Sequence, residues 1–257
     1  MRIAKSPRVL YQFALSHYCE KTRWNLDAKA LDYQVKDLPP GVHTLVTRRS
    51  GVRTLPMLVD HGHAVGDSVA IAVYLDRSYP GRPLLPVKAA ERARALELEE
   101  FFGNGAGKAV RLWMYGQLMA TRPLGAAEAF FSFYRGAKVL TRTLGPLFEA
   151  ALKRAYHITP ARIDKAFVRL NEAMDRLDEE LGDDPDRYLV GDSLSIADIT
   201  ACSLLGPLVA PANSPWAASN QPDPGPINDL RERLSTRPAW AYINARYAKD
   251  RDQPKPQ

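Results

Sequence analysis

The stretch that decides the fold is RVLYQFALSHYCEKTR, which covers residues 8–23. Its first six residues form a short apolar run rich in strand-forming residues, and they predict a buried strand. Ser16 then opens a helical pattern, because Cys19, Thr22 and Leu26 recur at the spacing of one helix face. A strand that passes directly into a helix indicates an α/β unit.

The next segments extend this unit to about residue 78. Residues 33–38 alternate between apolar and polar side chains and predict a second strand. Two short runs, residues 54–60 and 63–66, flank His61-Gly62 and predict an antiparallel hairpin. A helix from about Asp67 follows. In this order of elements, the first two strands are expected to be parallel.

A proline-rich boundary at residues 79–87 separates this unit from a helical remainder. Long helical patterns follow, with predicted breaks at Pro123, Gly136 and Pro146 and a helix start at Thr159-Pro160. Ser195 and Asp198 have the spacing of a capping box in front of a very apolar helix. We therefore predict an α/β domain over residues 1–80 and an all-helical domain over residues 88–257, with an irregular loop in the proline-rich residues 211–226.

Composition excludes several classes of protein. The 257 residues carry 35 Lys and Arg against 29 Asp and Glu, a formal net charge of +6, and the basic residues are dispersed, so no nucleic-acid partner is expected. Cys19 and Cys202 form neither a metal-ligand set nor a disulfide scaffold. No apolar stretch is long enough to span a bilayer, and the first residues lack the apolar core of a signal peptide. We expect a cytoplasmic protein without a membrane partner.

Four motifs in order carry a family resemblance. They are the segments Ser16–Arg23, Thr54–Leu58, Gly66–Ile71 and Gly191–Asp198. They resemble, respectively, the segment after the first strand, the Val-Pro-x-Leu segment around a cis-proline, the acidic-Ser-x-Ala-Ile segment and the helix-capping motif of the glutathione transferase superfamily. The resemblance covers residues 8–200. It is poorest for residues 120–158 and 211–226, which resemble insertions.

The resemblance implies a thioredoxin-like domain followed by an all-α helical domain, the glutathione transferase-like fold. It further implies a transferase that uses glutathione as co-substrate, needs no metal, attacks apolar electrophilic small molecules in detoxification and forms a homodimer. Two rivals stay open. One is a glutathione-dependent thiol oxidoreductase that uses Cys19, and the other is a non-catalytic binding module.

Ser16 is the first catalytic candidate. A hydroxyl between a strand and a helix lies at the positive end of the helix dipole, where it can stabilise a thiolate whose free pKa is about 8.5. An ordinary helix cap is the alternative interpretation of Ser16.

Cys19 is the competing candidate, either as a small packed hydrophobe or as a thiol whose pKa the helix N-terminus lowers. His17 stands where many members have proline; it either titrates near the thiol or faces solvent, and we expect it to face solvent.

The resemblance also assigns glutathione-binding residues: Arg53, Leu55, Pro56, Asp67 and Ser68. A cis bond before Pro56 would expose the backbone of Leu55 for pairing with glutathione, although a trans proline on an edge strand is the alternative. The helix N-terminus at Asp67 and Ser68 suits the γ-glutamyl carboxylate. Arg53 is assigned to the glycine carboxylate, with a solvated basic loop as the alternative interpretation.

Aromatic residues are candidates for the electrophile pocket. We assign Tyr18, Trp113 and Tyr115 to it, with Phe130, Phe131 and Tyr134 as further aromatics that either line the same cleft or belong to the core.

Overall fold

The computed structural model describes residues 8–182, 184, 186–217 and 225–251. Four strands form one sheet in the order β2-β1-β3-β4: β1 is Val9–Gln12, β2 Gln34–Asp37, β3 Met57–Asp60 and β4 His63–Gly66. β1 pairs with β2 in parallel, and β3 runs antiparallel to both of its neighbours. The parallel first pair and the hairpin are therefore confirmed.

Local signals explain these elements. His61 and Gly62, which connect β3 and β4, both have positive φ angles of 50° and 84°, as a two-residue type I′ turn requires. Helices α1 (His17–Ala28) and α3 (Ser68–Ser78) cover the sheet. Leu10 and Leu58 of the sheet pack with apolar side chains of both helices. The stretch before Gly51, for which no element was predicted, forms the short helix α2 (His43–Thr47) and a 3₁₀ turn.

The rest of the described chain is helical. Its helices are α4 (Ala89–Glu100), α5 (Gly107–Thr121), α6 (Gly125–Phe131), α7 (Ala137–Tyr156), α8 (Pro160–Leu181), α9 (Ile196–Val209), α10 (Gly225–Leu234) and α11 (Pro238–Lys249), and a π-helical segment, Phe101–Ala106, joins α4 to α5. All 14 residues of α9 are buried, and this helix packs against α1, α4 and α11. The predicted α/β domain followed by an all-helical domain is confirmed.

The capping box at the start of α9 is confirmed as well. Asp198 accepts hydrogen bonds from the Ser195 backbone N–H at 2.8 Å and from the Leu189 N–H at 2.7 Å, and the Ser195 hydroxyl accepts from the Ala197 N–H. Asp198 is fully buried. Leu189 and Ser195 stand at the two ends of the segment that leads into α9. By accepting from both, Asp198 fixes the residue at which α9 begins.

One predicted break is wrong. Pro146 lies inside α7, whereas Pro123 lies between helices and Gly136, with φ 79°, precedes α7 as predicted. A proline removes one backbone N–H from a helix. In α7, contacts on either side of Pro146 hold this turn in place. Gly145, before it, packs on Leu124, and the carboxylate of Glu149, after it, accepts from the Ala126 N–H at 3.0 Å.

Buried polar contacts join the two domains. Lys21 of α1 pairs with Glu99 of α4, and both side chains are buried. Near the end of the described chain, Arg251 pairs with Glu20 at 2.8 Å and also with Asp27, again on α1. These contacts fix the sheet domain against the helices. Of the helices in the described part of the chain, none is both long and apolar enough to cross a membrane.

Candidate functional site

The sheet topology brings the candidate residues to one edge. In the register of the sheet, Tyr11 near the end of β1 lies opposite Met57 at the start of β3, and Met57 lies opposite Gly66 at the end of β4. Ser16 follows β1, Leu55-Pro56 precede β3, and Asp67-Ser68 follow β4. Three segments that are far apart in sequence are therefore neighbours at this edge.

A cavity of about 320 Å³ opens at this edge, between the sheet domain and the helices. Ser16, His17, Thr54 and Leu55 line it from the sheet side. The opposite wall is mostly apolar and aromatic, and it comprises Val110, Met114, Tyr115, Leu118, Phe130, Phe148, Leu152, Tyr156, Pro207 and Trp216, together with Arg111. The sheet side of the cavity combines polar and apolar residues, whereas the helical side is apolar and aromatic apart from Arg111.

Ser16 is both a helix cap and a cavity residue. Its hydroxyl oxygen accepts a hydrogen bond from the Cys19 N–H at 3.4 Å, while the half-buried side chain lines the cavity. A hydroxyl that accepts one bond still carries its own proton, and the Ser16 hydroxyl also contacts the Cys19 thiol, so its O–H can donate either to that sulfur or to a ligand in the cavity.

Cys19 does not face the cavity. Its side chain is fully buried and packs with Leu55 and Met57 beneath the sheet edge. Burial raises the pKa of the Cys19 thiol, and it outweighs the opposing contribution of the Ser16 hydroxyl. The lowered pKa that the oxidoreductase hypothesis requires for this thiol is therefore wrong.

His17 does not face solvent, and that expectation is wrong. The ring is 5% exposed and its Nε2 lies 3.0 Å from the carbonyl oxygen of Gly107. Because a carbonyl only accepts, Nε2 is the protonated nitrogen in this bond. Burial, followed by the positive charge of Arg111, lowers the pKa of His17 to about 3, so the imidazole is neutral at neutral pH.

The predicted pocket aromatics separate into two groups. Tyr115 and Phe130 line the cavity, and burial raises the pKa of Tyr115. Trp113 is buried in the helical core against Phe167, with ring centroids 5.9 Å apart. Tyr18 lies outside the cavity lining.

Tyr18 instead holds the sheet domain on the helices. Its hydroxyl donates to the Gly103 carbonyl at 2.9 Å, and burial raises its pKa to about 12. The structure also places Phe131 and Tyr134, the remaining two of the predicted aromatics. Phe131 packs behind Phe130, and the Tyr134 hydroxyl donates to the Leu38 carbonyl at 2.9 Å.

The residues assigned to glutathione lie along the sheet edge beside the cavity. The Leu55–Pro56 peptide bond is cis, as the resemblance implies. Asp67 caps α3 by accepting from the Val69 and Ala70 N–H groups, and the side chain of Ser68 is buried. Arg53 is exposed. Of these five residues, Leu55 lines the cavity itself.

Sequence analysis missed several residues of the cavity wall. Phe148, Leu152 and Tyr156 recur every four residues on α7, which is a spacing that places them on one helix face. Trp216 lies in the proline-rich loop, and its indole N–H donates to the Leu15 carbonyl at 3.2 Å. Both segments had been interpreted as insertions, and both build the wall. Residues 218–224 of that loop lie outside the described residues, as do 1–7 and the tail from 252.

The described residues contain no group of side chains that could bind a metal ion, since no three or more of their His, Cys, Asp or Glu side chains are grouped so that they could hold one.

Comparison with known proteins gives matches at both ends of the chain. A family model described as the N-terminal domain of glutathione S-transferase matches residues 10–83, and one described as its C-terminal domain matches residues 160–244. A glutathione S-transferase of Triticum aestivum is 31% identical over 84 residues, which are 33% of this chain and 39% of the relative. For glutathione S-transferase 1 of Dianthus caryophyllus the identity is 35% over 88 residues, which are 33% of this chain and 40% of the relative. The chain thus spans about two fifths of the length of these curated relatives.

A solved structure is similar over nearly the whole chain. The glutathione S-transferase of Ceriporiopsis subvermispora, determined in complex with glutathione, is 20% identical with a TM-score of 0.67, and the alignment covers 98% of this chain and all of that one. At this level of identity the likeness concerns the fold.

Proposed function

This chain belongs to the glutathione S-transferase family, and from that premise we propose that it transfers glutathione to an apolar, electrophilic small molecule. The reactants would meet in the cavity at the sheet edge, glutathione on the sheet side and the electrophile against the aromatic wall. Ser16 would stabilise the glutathione thiolate.

The observation that carries this proposal is the contrast between Ser16 and Cys19. The Ser16 side chain lines the cavity and carries an O–H donor, whereas the Cys19 thiol is fully buried beneath it. A hydrogen bond to a charged group contributes about 1.5–3 kcal/mol. This favours a thiolate-stabilising hydroxyl over a thiol that exchanges disulfides.

Glutathione would extend along the sheet edge. Its cysteinyl backbone would pair with Leu55 beside Pro56, its γ-glutamyl carboxylate would lie at the N-terminus of α3 near Ser68, and Asp67 would pair with its ammonium group. The exposed Arg53 would meet its glycine carboxylate. The sheet register supports this arrangement, because it makes the ends of β1 and β4 neighbours of the start of β3.

The reaction would need few groups from the protein. The thiol proton leaves to solvent, since the neutral His17, with a pKa of about 3, is too weak a base to hold it. The sulfur lone pair then forms a bond to the electrophilic carbon while the leaving group departs with its electron pair. Positioning both reactants in one cavity supplies most of the remaining acceleration.

Three finer statements belong to the same proposal. We propose a homodimer, a cytoplasmic location and a role in detoxification, each on the family premise. We also retain the boundary between a glutathione-binding domain ending at residue 80 and a helical domain beginning at residue 88.

Variants at Ser16 and Cys19 test the mechanism. With glutathione and 1-chloro-2,4-dinitrobenzene, we expect Ser16→Ala to lower kcat/KM by about 10- to 100-fold, because one hydrogen bond to the thiolate is lost. Ser16→Thr keeps the hydroxyl and should retain much of the rate, and Cys19→Ser should leave the rate nearly unchanged. The pH at which kcat/KM is half-maximal should move upward in Ser16→Ala.

The same variants separate the rivals. A Ser16→Ala enzyme as active as the parent would contradict the proposal. Loss of glutathione-dependent disulfide reduction in Cys19→Ser would favour the oxidoreductase. If calorimetry detected no glutathione binding at millimolar concentration, the chain would instead be a non-catalytic module.

A further inference from the structure

A second cavity, of about 570 Å³, lies beside the first and plays no part in the function proposed so far. Helices α5 and α8 and the end of α7 form it. The two cavities share Arg111, Ala155 and Tyr156, so they meet at these residues.

The lining of this second cavity is strongly basic. Lys108 and Arg111 come from α5, and Arg162, Lys165 and Arg169 come from α8. The three residues of α8 are spaced by three and four positions, which places them on one face of the helix. No Asp or Glu occurs among its lining residues, as far as the chain is described. We call this surface the basic groove.

These charges are not balanced within the described part of the protein. The Lys108 ammonium donates to the Asn104 side chain at 2.8 Å, and none of the five cations forms an ion pair with another described residue. Some other arginines of the helices are paired, as Arg94 is with Glu180 and Arg237 with Asp178; what distinguishes the basic groove is that its five cations line one concave surface. A concave surface with five cations of one sign concentrates a positive potential that attracts anions.

Arg111 connects the basic groove to the aromatic cavity. It is half-buried, and its guanidinium carbon lies 4.4 Å from the centre of the Tyr156 ring and 5.5 Å from that of Tyr18. Cation–π contact with the two rings restrains the guanidinium, whose N–H groups are donors that suit a carboxylate or sulfonate. A molecule that fills the aromatic cavity can therefore present an anionic end to Arg111.

We infer that the electrophile is an organic acid, with an apolar or aromatic body in the cavity at the sheet edge and a carboxylate or sulfonate in the basic groove at Arg111. This inference rests on the proposed function for the electrophile, but the groove's preference for an anionic ligand is measurable without any reaction.

A matched pair of fluorescent probes measures that preference. 8-Anilinonaphthalene-1-sulfonate carries the anionic group, and N-phenyl-1-naphthylamine has the same rings without it. We expect the sulfonate to bind more tightly and its Kd to rise when salt is increased from about 0.05 M to about 0.5 M, whereas the Kd of the neutral probe should not rise.

Substitutions in the basic groove identify the residues that bind the sulfonate group. Arg111→Gln should raise the Kd of the sulfonate about tenfold, as expected for the loss of a charged hydrogen bond. Arg162→Gln combined with Arg169→Gln should raise it about threefold, as exposed charges contribute less. The matched control is Arg154→Gln, an exposed arginine of α7 outside both cavities, which should change neither probe's Kd. Equal affinity for the two probes, or equal effects of all three variants, would overturn the inference.

Turnover then connects the groove to the reaction. 4-Chloro-3-nitrobenzoate and its neutral amide react alike: the glutathione sulfur bonds to the ring carbon, chloride leaves with the electron pair, and the thiol proton goes to solvent. We expect Arg111→Gln to raise KM for the acid by a clearly larger factor than KM for the amide, since Arg111 also lines the cavity that both compounds would enter.

The outcomes distinguish the two proposals. If the sulfonate binds in the groove but neither compound is converted, the transferase function fails and the anion site stands. If both are converted with the same KM in the parent and in Arg111→Gln, the transferase stands and the anion site fails.

Discussion

At the start of α1, three nearby residues meet three different environments. Ser16 is half-buried and lines the cavity, His17 also lines it but is buried against Gly107 of α5, and Cys19 is buried beneath the sheet edge. A helix turns its side chains by about 100° per residue, so neighbours point in different directions. The chemistry available to each residue therefore follows from its position on the helix more than from its type.

The buried His17 predicts a dependence of stability on pH. The unfolded chain binds a proton on this imidazole below about pH 6.5, whereas the folded protein does so only below about pH 3. Between these values the unfolded state carries the extra proton, so this residue's contribution to the unfolding free energy falls by about 1.4 kcal/mol for each unit by which the pH falls. From about pH 7.5 to about pH 5, the loss is about 2 kcal/mol.

Urea unfolding at both pH values checks this expectation. In His17→Gln, which keeps an N–H donor for the Gly107 carbonyl but does not titrate, the loss between the two pH values should be smaller by about 2 kcal/mol. His63→Gln, at an exposed position on β4, is the control and should behave as the parent does. Parallel pH dependence in the parent and in His17→Gln would contradict the assignment.

At the scale of elements, the π-helical segment and the first residue of α5 accept two hydrogen bonds from side chains of α1. The carbonyls of Gly103 and Gly107 accept from Tyr18 and His17. A Cβ on Gly107 would lie 2.9 Å from both Leu204 Cδ1 and the Tyr18 hydroxyl, whereas a Cβ on Gly105 would meet nothing within 4 Å. Glycine is required by close approach at the first position and not at the second.

Two substitutions of the same kind should therefore have opposite effects. Gly105→Ala should stabilise the protein by about 0.5–1 kcal/mol, because alanine loses less conformational entropy in a helix. Gly107→Ala should destabilise it by about 1–2 kcal/mol, because the added methyl group displaces Leu204 and Tyr18. Thermal unfolding of the two variants measures the difference, and a stabilised Gly107→Ala protein would show that α1 does not pack closely on this segment.

The sequence predicts those features that neighbouring residues determine, and it does not predict those that depend on contacts between distant residues. The turn at His61-Gly62 and the capping box at Ser195 are set by neighbouring residues, and both were predicted correctly. The burial of His17 depends on a glycine 90 positions away, and Trp216 reaches the Leu15 carbonyl across 201 positions. Periodicity identifies an apolar face on α7, but it does not say which element that face meets.

At the scale of the whole molecule, the cavity exists because the two domains are held in one orientation. Its walls come from both, so any change in their packing would separate Ser16 from the aromatic residues. The Lys21–Glu99 pair lies within this contact. Lys21 is fully buried, and burial lowers its pKa despite the attraction of Glu99. A buried pair of this kind stabilises the orientation only while both charges are present.

A double-mutant cycle tests whether this pair couples the domains. Lys21→Met leaves the Glu99 carboxylate buried without its partner, and Glu99→Gln does the same to the ammonium group, so each should destabilise the protein by about 3–5 kcal/mol. The combination removes both charges at similar volume and should cost much less than the two losses together. Urea unfolding followed by tryptophan fluorescence reports on both domains, since Trp24 lies in α1 and Trp113 in α5.

The exposed pair Lys88–Glu91, changed to Met and Gln in the same way, is the matched control and should show no coupling. If the effects at Lys21 and Glu99 were simply additive, the pair would not hold the domains together, and the orientation would depend on the apolar packing of α1 against α9 instead.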